Sequence, residues 1–145
     1  GADPSPDDDR LPQPGLAELD ELVTQVRTAG LRVALTYDGP VDEWGAWGPG
    51  LGLAVYRIVQ EALTNTLKHA GPRARAHVRL RTTADGIDLE IVDDGAGRPT
   101  PDTESRGHGL VGIAERAAAY GGSAEAGPTP ENGWRVHARF PGRRS

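Results

Sequence analysis

Apolar residues recur at helical spacing in two long stretches of the chain. The first, from Leu16 to Val26, has acidic residues in its first turn and Gly30 beyond its end, which predicts an amphipathic helix. The second runs from about Leu51 to Ala70 and stops at Gly71-Pro72. A third helix is predicted from Gly107 to Tyr120, opened by a glycine-rich turn.

Shorter stretches alternate between apolar and polar residues, as β-strands with one buried face do. They are Leu31–Tyr37, Ala74–Thr83, Gly86–Asp93, Ser123–Gly127 and Trp134–Phe140. Asp85-Gly86 is a turn signal that joins the second and third of them as a hairpin. This order of elements predicts an α/β (α+β) fold. It would be a two-layer sandwich, with a mixed, antiparallel-rich sheet of about five strands packed on about three helices.

The remaining segments contain little that a core could bury. Residues 1–14 are rich in Pro and Asp and are predicted to be a linker or disordered lead-in. Residues 15–141 are predicted to form one domain and residues 142–145 a frayed tail. Residues 41–50 are predicted to be a connector, and the polar, Gly/Pro-rich residues 95–106 a mobile loop.

Composition narrows the classes of function. The chain has 145 residues and a formal net charge of −5. A chain with a net negative charge lacks the positive surface potential that attracts nucleic acid, so we expect no nucleic acid as its main partner. It has no Cys, which excludes a disulfide framework, a thiolate metal site and a cysteine nucleophile. No apolar run approaches the roughly 20 residues of a membrane helix, and no signal peptide is visible. We therefore expect no direct membrane contact by this chain. The bias toward Ala, Arg and Gly is typical of a high-GC bacterium.

The second predicted helix has one polar stripe. Glu61, Asn65, Lys68 and His69 are three or four residues apart, so they lie on one face. A carboxylate, a carboxamide oxygen and cations together suit a metal–phosphate ligand, because Mg²⁺ takes one or two protein oxygens and completes its shell with water and phosphate. Taken alone, the stripe slightly favours a solvated helix face over a ligand site.

Asp93 ends the second strand of the hairpin and is followed by Asp94-Gly95-Ala96-Gly97. Strand parity points Asp93 to the same side as Ile91, toward the core. A carboxylate there needs a donor partner, and the exocyclic amine of a purine is one such donor. Gly95 and Gly97 remove side chains where a flat ring or a bent backbone comes close. A plain Asp-Gly turn that closes a strand is the alternative.

Gly107-His108-Gly109-Leu110-Val111-Gly112 opens the third predicted helix. Glycines at a helix N-terminus expose backbone N–H groups to an anion. The string also fits the G-x-G-x-x-G pattern of dinucleotide-binding proteins, but that pattern requires a strand directly before it. The residues before it, Arg98 to Arg106, form a polar stretch with two prolines. The dinucleotide interpretation therefore fails on context.

In order and spacing, these motifs resemble the ATP-binding domain of sensor histidine kinases, in the GHKL (Bergerat-type) family shared with gyrase-type, mismatch-repair and chaperone ATPases. The resemblance covers about Leu16 to Pro141. The segment from Glu61 to Ala70 is similar to the asparagine box, and Asp93 to Gly97 to the first glycine box. Gly107 to Arg116 is similar to the second glycine box of kinases that pair with helix-turn-helix response regulators.

The resemblance implies residue roles for ATP and Mg²⁺ as cofactors. Asn65 would be the metal ligand, Glu61 would polarise water or the attacking group, and Lys68 and His69 would meet phosphate oxygens. Asp93 would hold the adenine amine, and residues 98–106 would be a short lid over the nucleotide. The residues that would shape the pocket and its lid are Gly95, Gly97, Gly107, His108, Gly109, Leu110 and Gly112.

Two departures from the family pattern stand out. The family often has a small hydroxyl residue after a Gly at the start of the last strand, whereas here Gly133 is followed by Trp134, which we expect to pack or to cover the pocket edge. The helical hairpin that carries the phosphoaccepting histidine is also absent, because none of His69, His77, His108 and His137 has an acceptor context. His77 and His137 are expected on outward strand faces.

The resemblance therefore implies the catalytic part of a longer cytoplasmic kinase. It would donate the ATP γ-phosphate to a histidine on a separate dimerisation hairpin. The implied partners are that hairpin and a cognate response regulator, and the parent would be a homodimer, membrane-bound through other segments. An anti-sigma-type serine kinase and a non-catalytic nucleotide-binding module of the same fold stay open as alternatives.

Overall fold

A computed structural model describes residues 16–39, 49–70, 73–83, 86–95, 103–131 and 133–141. Its helices and strands, in chain order, are α1 (Leu16–Thr28), β1 (Arg32–Asp38), α2 (Pro49–His69), β2 (Arg75–Thr83), β3 (Gly86–Asp93), α3 (Thr103–Ala118), β4 (Ser123–Pro128) and β5 (Trp134–Pro141). All five predicted strands and all three predicted helices are present.

The strands form one mixed sheet in the order β1-β2-β3-β5-β4. β1 and β2 are parallel, while the β2–β3, β3–β5 and β4–β5 pairs are antiparallel. A parallel pair needs a crossover connection, and α2 lies between β1 and β2 in the chain. The register places Asp93, the last residue of β3, opposite Trp134, the first residue of β5.

The core lies between the helices and one face of the sheet, which confirms the predicted strand parity. Val78 and Leu80 on β2 and Leu89 on β3 are fully buried, as are Ile58 and Leu63 on α2. The opposite face of the sheet carries exposed or half-buried polar side chains, because successive strand residues point to opposite sides. The two-layer α/β sandwich predicted from the sequence is therefore confirmed.

The predicted start of the third helix is wrong. α3 begins at Thr103 rather than at Gly107, so Gly107 and Gly109 lie inside the helix. Thr103 and Glu104 are residues that favour the start and first turn of a helix, and this signal precedes the glycines. The predicted loop over residues 95–106 is accordingly wrong at its end, because residues 103–106 are helical.

The other boundaries differ by a few residues. α2 begins at Pro49, two residues inside the predicted connector, because Pro is well tolerated in the first turn of a helix. The predicted lead-in (1–14), the tail (142–145), Gly97 and the first part of the predicted lid lie outside the described residues. None of the helices that the structure describes is both long and apolar enough to cross a membrane.

Candidate functional site

The polar stripe predicted on the second helix lies in the last three turns of α2. Glu61, Asn65 and His69 are partly buried and Lys68 is exposed. Lys68 and His69 lie in the last turn, where the helix dipole favours positive charge. The stripe thus presents a carboxylate and a carboxamide at the boundary between core and solvent, with two nitrogen-bearing side chains at its C-terminal end.

Glu61 faces α3. Its Oε1 lies 3.2 Å from Nη2 of Arg116, and the side chains of Glu61 and Arg116 are 29% and 41% exposed. Gly112 leaves the space that Glu61 uses, since a Cβ at that position would lie 3.1 Å from Glu61 Oε2. Among the described residues, Glu61 Oε1 and Arg116 Nε are buried atoms without a hydrogen bond. The pair is held by charge, and Glu61 Oε1 retains capacity to accept a hydrogen bond.

Asp93 is buried at the end of β3, as its strand parity predicted, and only 2% of its surface is exposed. Its Oδ1 accepts a hydrogen bond from the N–H of Gly95 at 3.0 Å. Its Oδ2 lies 3.1 Å from the hydroxyl of Thr66 on α2. Because burying a carboxylate without donors is costly, these contacts explain how Asp93 is tolerated in the core.

Two glycines shape the backbone around Asp93. Gly95 has a φ of 60°, in the left-handed region that favours glycine. A Cβ on Gly133 would overlap the carbonyl oxygen of Asp93, so only glycine permits this close approach at the start of β5. Trp134 is 5% exposed and belongs to the core cluster, which confirms that it packs.

The neighbouring Asp94 behaves differently from Asp93. It is exposed, and its Oδ1 accepts a hydrogen bond from the N–H of Arg75 at 2.9 Å. Its own N–H donates to the carbonyl of Arg75 at 3.0 Å. Asp94 therefore holds the end of β3 against the start of β2, while Asp93 is the carboxylate directed into the layer between sheet and helices.

The second glycine string is placed differently from its prediction. Gly107, His108 and Gly109 lie in the first half of α3, so their backbone N–H groups are beyond the free donors of the first turn. Leu110 and Gly112 are partly buried. The structure brings this string to α2 through the approach of Gly112 to Glu61, and it brings β3 to α2 through Thr66 and Asp93.

The histidines on the sheet lie on its outward face, as predicted. His77 Nε2 is 2.9 Å from the hydroxyl of Thr36. His137 lies 3.4 Å from Asp88 and 3.7 Å from Glu125. Strand parity places both histidines on the side of the sheet opposite Asp93.

Sequence reasoning missed two residues of this site, Thr66 and Arg116. Thr66 lies directly after Asn65 but on the buried side of α2, and a polar residue among apolar positions was the available signal. Arg116 is the last residue of the segment that is similar to the second glycine box, but the resemblance implied no role for it. Within the described ranges, no group of three or more His, Asp or Glu side chains could hold a metal ion, so the arrangement does not form an all-protein metal cage.

Comparisons with known proteins identify the family of the chain. A sequence model of the family described as histidine kinase-, DNA gyrase B- and HSP90-like ATPase matches residues 50–144. The sensor histidine kinase YxjM of Bacillus subtilis is 34% identical over 128 residues, which cover 88% of this chain and 30% of that protein. The sensor histidine kinase LnrJ of the same organism is 40% identical over 84 residues, 58% of this chain and 20% of that protein.

Solved structures give the same result for the fold. The ATP-binding domain of PrrB from Mycobacterium tuberculosis is 25% identical, with a TM-score of 0.58 over 87% of this chain and 95% of that one. The mycobacterial sensor histidine kinase MprB has a TM-score of 0.58 at 22% identity, over 88% and 95% of the two chains. The chain spans 30% and 20% of the lengths of the curated relatives YxjM and LnrJ.

Proposed function

Because the chain belongs to the histidine kinase-, DNA gyrase B- and HSP90-like ATPase family, we propose that it is the ATP-binding catalytic domain of a sensor histidine kinase. In this proposal the domain binds ATP with Mg²⁺ and donates the γ-phosphate to a histidine on a separate helical hairpin. The relatives YxjM and LnrJ, both named sensor histidine kinases, favour this activity over a serine kinase of the same fold.

The observation that carries the proposal is the meeting of three motifs around α2. The buried carboxylate of Asp93 contacts Thr66 of α2. One turn earlier on the same helix, Glu61 contacts Arg116 and approaches Gly112 of α3. A buried acceptor for an amine at one end and polar groups beside a glycine-rich helix at the other suit a ligand with a purine and a polyphosphate.

Asp93 would recognise adenine. Both of its oxygens are already placed by the N–H of Gly95 and the hydroxyl of Thr66, and a carboxylate oxygen can accept more than one hydrogen bond. The close approach of Gly133 to the Asp93 carbonyl keeps side-chain atoms away from this end. An adenine amine would therefore meet a fixed acceptor in a dry environment, where hydrogen bonds discriminate strongly.

Asn65, Glu61, Lys68 and His69 would act at the phosphates. The carboxamide oxygen of Asn65 would hold Mg²⁺, which commonly takes few protein ligands and retains water and phosphate oxygens. Glu61, whose Oε1 is buried without a hydrogen bond among the described residues, would orient the attacking group. Lys68 and His69 at the C-terminal end of α2 would contact phosphate oxygens.

Catalysis by these residues would consist of positioning and charge stabilisation. Bound ATP would supply the phosphoryl group, and Mg²⁺ held by Asn65 would neutralise charge on the phosphates. The chain's own contribution is to orient the nucleotide between β3 and α3 and to exclude water. Gly95, Gly107, His108, Gly109, Leu110 and Gly112 would line that cleft, while Gly97, which the sequence adds to this set, lies outside the described residues.

The proposed partners follow from the family's chemistry. The acceptor would be a histidine-bearing dimerisation hairpin of the parent protein, and a response regulator would take the phosphoryl group from that histidine. The parent would act as a homodimer with this domain in the cytoplasm, where ATP is available. No nucleic acid partner is proposed, in keeping with the net charge of −5.

The first experiment is a calorimetric titration of the domain with ATP, with and without Mg²⁺. We expect saturable binding that strengthens when Mg²⁺ is present. The second mixes the domain, the parent's hairpin and γ-labelled ATP. We expect acid-labile phosphohistidine on the hairpin and none on the isolated domain, because none of His69, His77, His108 and His137 has an acceptor context in the sequence.

Other outcomes would redirect the proposal. Acid-stable label on a Ser or Thr of a partner would assign the domain to the serine kinases. ATP binding without transfer to any supplied partner would indicate a nucleotide-binding module. A folded domain that binds no ATP with Mg²⁺ would contradict the proposal altogether.

A further inference from the structure

Thr66 and Asp93 are the buried polar or charged side chains of the part of the chain that the structure describes, and each is 2% exposed. They come from different elements, α2 and β3, and they touch: Thr66 Oγ1 lies 3.1 Å from Asp93 Oδ2. A buried hydroxyl on the inner side of a helix is unfavourable unless it has a partner. The contact therefore accounts for both buried groups at once.

The hydroxyl of Thr66 has one hydrogen and two acceptors in reach. The carbonyl of Ala62 and the Oδ2 of Asp93 are both 3.1 Å away. The Ala62 carbonyl already receives the N–H of Thr66 as part of the helix, whereas a hydrogen bond to a carboxylate is charge-assisted and stronger. The hydrogen is therefore best placed toward Asp93.

Other helical threonines show what Thr66 would do without Asp93. The hydroxyls of Thr24, Thr28 and Thr64 donate to the carbonyl four residues earlier at 2.8–3.0 Å, and all three are exposed. Such bonds satisfy the hydroxyl locally and link no second element. Thr66 differs from them by its burial and by its second acceptor on β3.

With Thr66 on one oxygen and the Gly95 N–H at 3.0 Å from the other, the Asp93 carboxylate is fixed from a helix and from the backbone that follows its strand. We infer that Thr66 is a positioning residue that orients Asp93 and thereby sets the preference for adenine over guanine. This inference rests on the proposed function.

The preference has a simple chemical origin. An ionised carboxylate only accepts hydrogen bonds, so a fixed Asp93 suits the amine of adenine and opposes the carbonyl that guanine presents at the equivalent position. If the carboxylate could rotate, a different donor of guanine could reach it. The Thr66 hydroxyl removes that freedom.

The test uses Thr66→Val, which keeps the branched shape and removes the hydroxyl, and Thr66→Ser, which keeps the hydroxyl. Thr64→Val on the same helix is the matched control, because its hydroxyl is exposed and bonds only the local carbonyl among the contacts described. Dissociation constants for ADP and GDP are measured by calorimetry on the folded domain. Diphosphates are chosen so that contacts to the γ-phosphate do not contribute.

We expect Thr66→Val to weaken ADP binding about tenfold, the order for losing one hydrogen bond to a charged group. GDP binding should stay the same, or strengthen where the freed carboxylate meets a guanine donor. The ratio of the ADP affinity to the GDP affinity (the ADP/GDP ratio) therefore falls. Thr66→Ser and Thr64→Val should retain the native ratio. A purely structural role for Thr66 would lower the melting temperature and leave this ratio unchanged.

A native ADP/GDP ratio in folded Thr66→Val overturns the inference and leaves the proposed function intact. If Thr66→Val does not fold, Thr66→Cys takes its place, since a thiol is a weak donor of similar size; it should reduce the ratio, and a native ratio overturns the inference. If the native domain binds neither ADP nor ATP, the proposed function and this inference both fail.

Discussion

β3 and α3 flank α2 and position its site residues in different ways. At the end of β3, Asp93 is buried and is held by hydrogen bonds from Gly95 and Thr66. On α3, the ion pair to α2 joins the partly exposed side chains of Arg116 and Glu61. The first contact is buried, while the second joins side chains that are partly exposed although the Glu61 Oε1 atom is itself buried.

The backbones of the two regions differ as well. The sheet side has a close approach of Gly133 to the Asp93 carbonyl, which any side chain would obstruct. α3 instead has three glycines within its span, Gly107, Gly109 and Gly112, each of which costs about 1 kcal/mol relative to Ala in a helix. The end proposed to recognise the base is thus closely packed at its backbone, whereas the helix proposed to face the phosphates has a low intrinsic helix propensity.

The largest expected loss of ATP affinity comes from a substitution on α2. Asn65→Ala should weaken Mg²⁺-dependent ATP binding by about 100-fold, the upper range for loss of a group that orients a metal. The matched control is Gln60→Ala, since Gln60 is exposed on the same helix. Calorimetry with and without Mg²⁺, together with circular dichroism, separates metal loss from unfolding. Native Mg²⁺-ATP affinity in folded Asn65→Ala would rule out the metal assignment.

Asp93→Asn tests the role of the buried carboxylate at the end of β3. The amide offers one acceptor oxygen in place of two and leaves Thr66 or the Gly95 N–H without its partner, so ATP binding should weaken by roughly 10- to 100-fold. Asp94→Asn is the control, because Asp94 is exposed and contacts the Arg75 N–H. The native domain should bind ATP far better than GTP. Equal affinities for the two nucleotides would contradict the role of Asp93.

Replacing one glycine in each region by alanine compares how tightly the backbone is packed at β5 beside Asp93 and on α3. Gly133→Ala should lower the free energy of unfolding by about 1–3 kcal/mol, because the new methyl group overlaps backbone. Gly112→Ala meets only the end of the flexible Glu61 side chain, and a gain in helix propensity of up to about 1 kcal/mol offsets that contact. Urea denaturation of both variants gives the two values. Similar losses at the two sites would show that the α3 side is packed as tightly as the β3 end.

The smallest expected effect concerns the ion pair. A double-mutant cycle combines Arg116→Ala with Glu61→Gln and compares the free energies of unfolding, measured by urea denaturation. The coupling free energy should be about 0.5 kcal/mol, as for partly exposed ion pairs. The coupling should shrink as ionic strength rises, because salt screens exposed charges. A coupling of several kcal/mol that is insensitive to salt would mean that Glu61 and Arg116 are dry and that the two sides of the site do not differ in this respect.

Local patterns were sufficient for most of the fold. The period of two along β2 and β3 identified the buried face, and the same period directed Asp93 inward. The spacing of apolar residues located α1 and α2, and Gly30, with a φ of 113°, marked the end of α1. These predictions succeeded because side-chain direction in a regular element depends on position in that element alone.

What the sequence could not determine depends on contacts between elements. The order of the strands places Trp134 opposite Asp93, and helix packing brings Thr66 to Asp93 and Arg116 to Glu61. These residues are 27 and 55 positions apart, and no local spacing relates them. The start of α3 was missed for a different, local reason: glycines weaken a helix without forbidding it, and the start signal at Thr103 and Glu104 precedes them. By itself the sequence determined which faces are buried and which chemistry is present. The tertiary structure decided which of those groups meet, because burial leaves each polar side chain only the partners that packing provides.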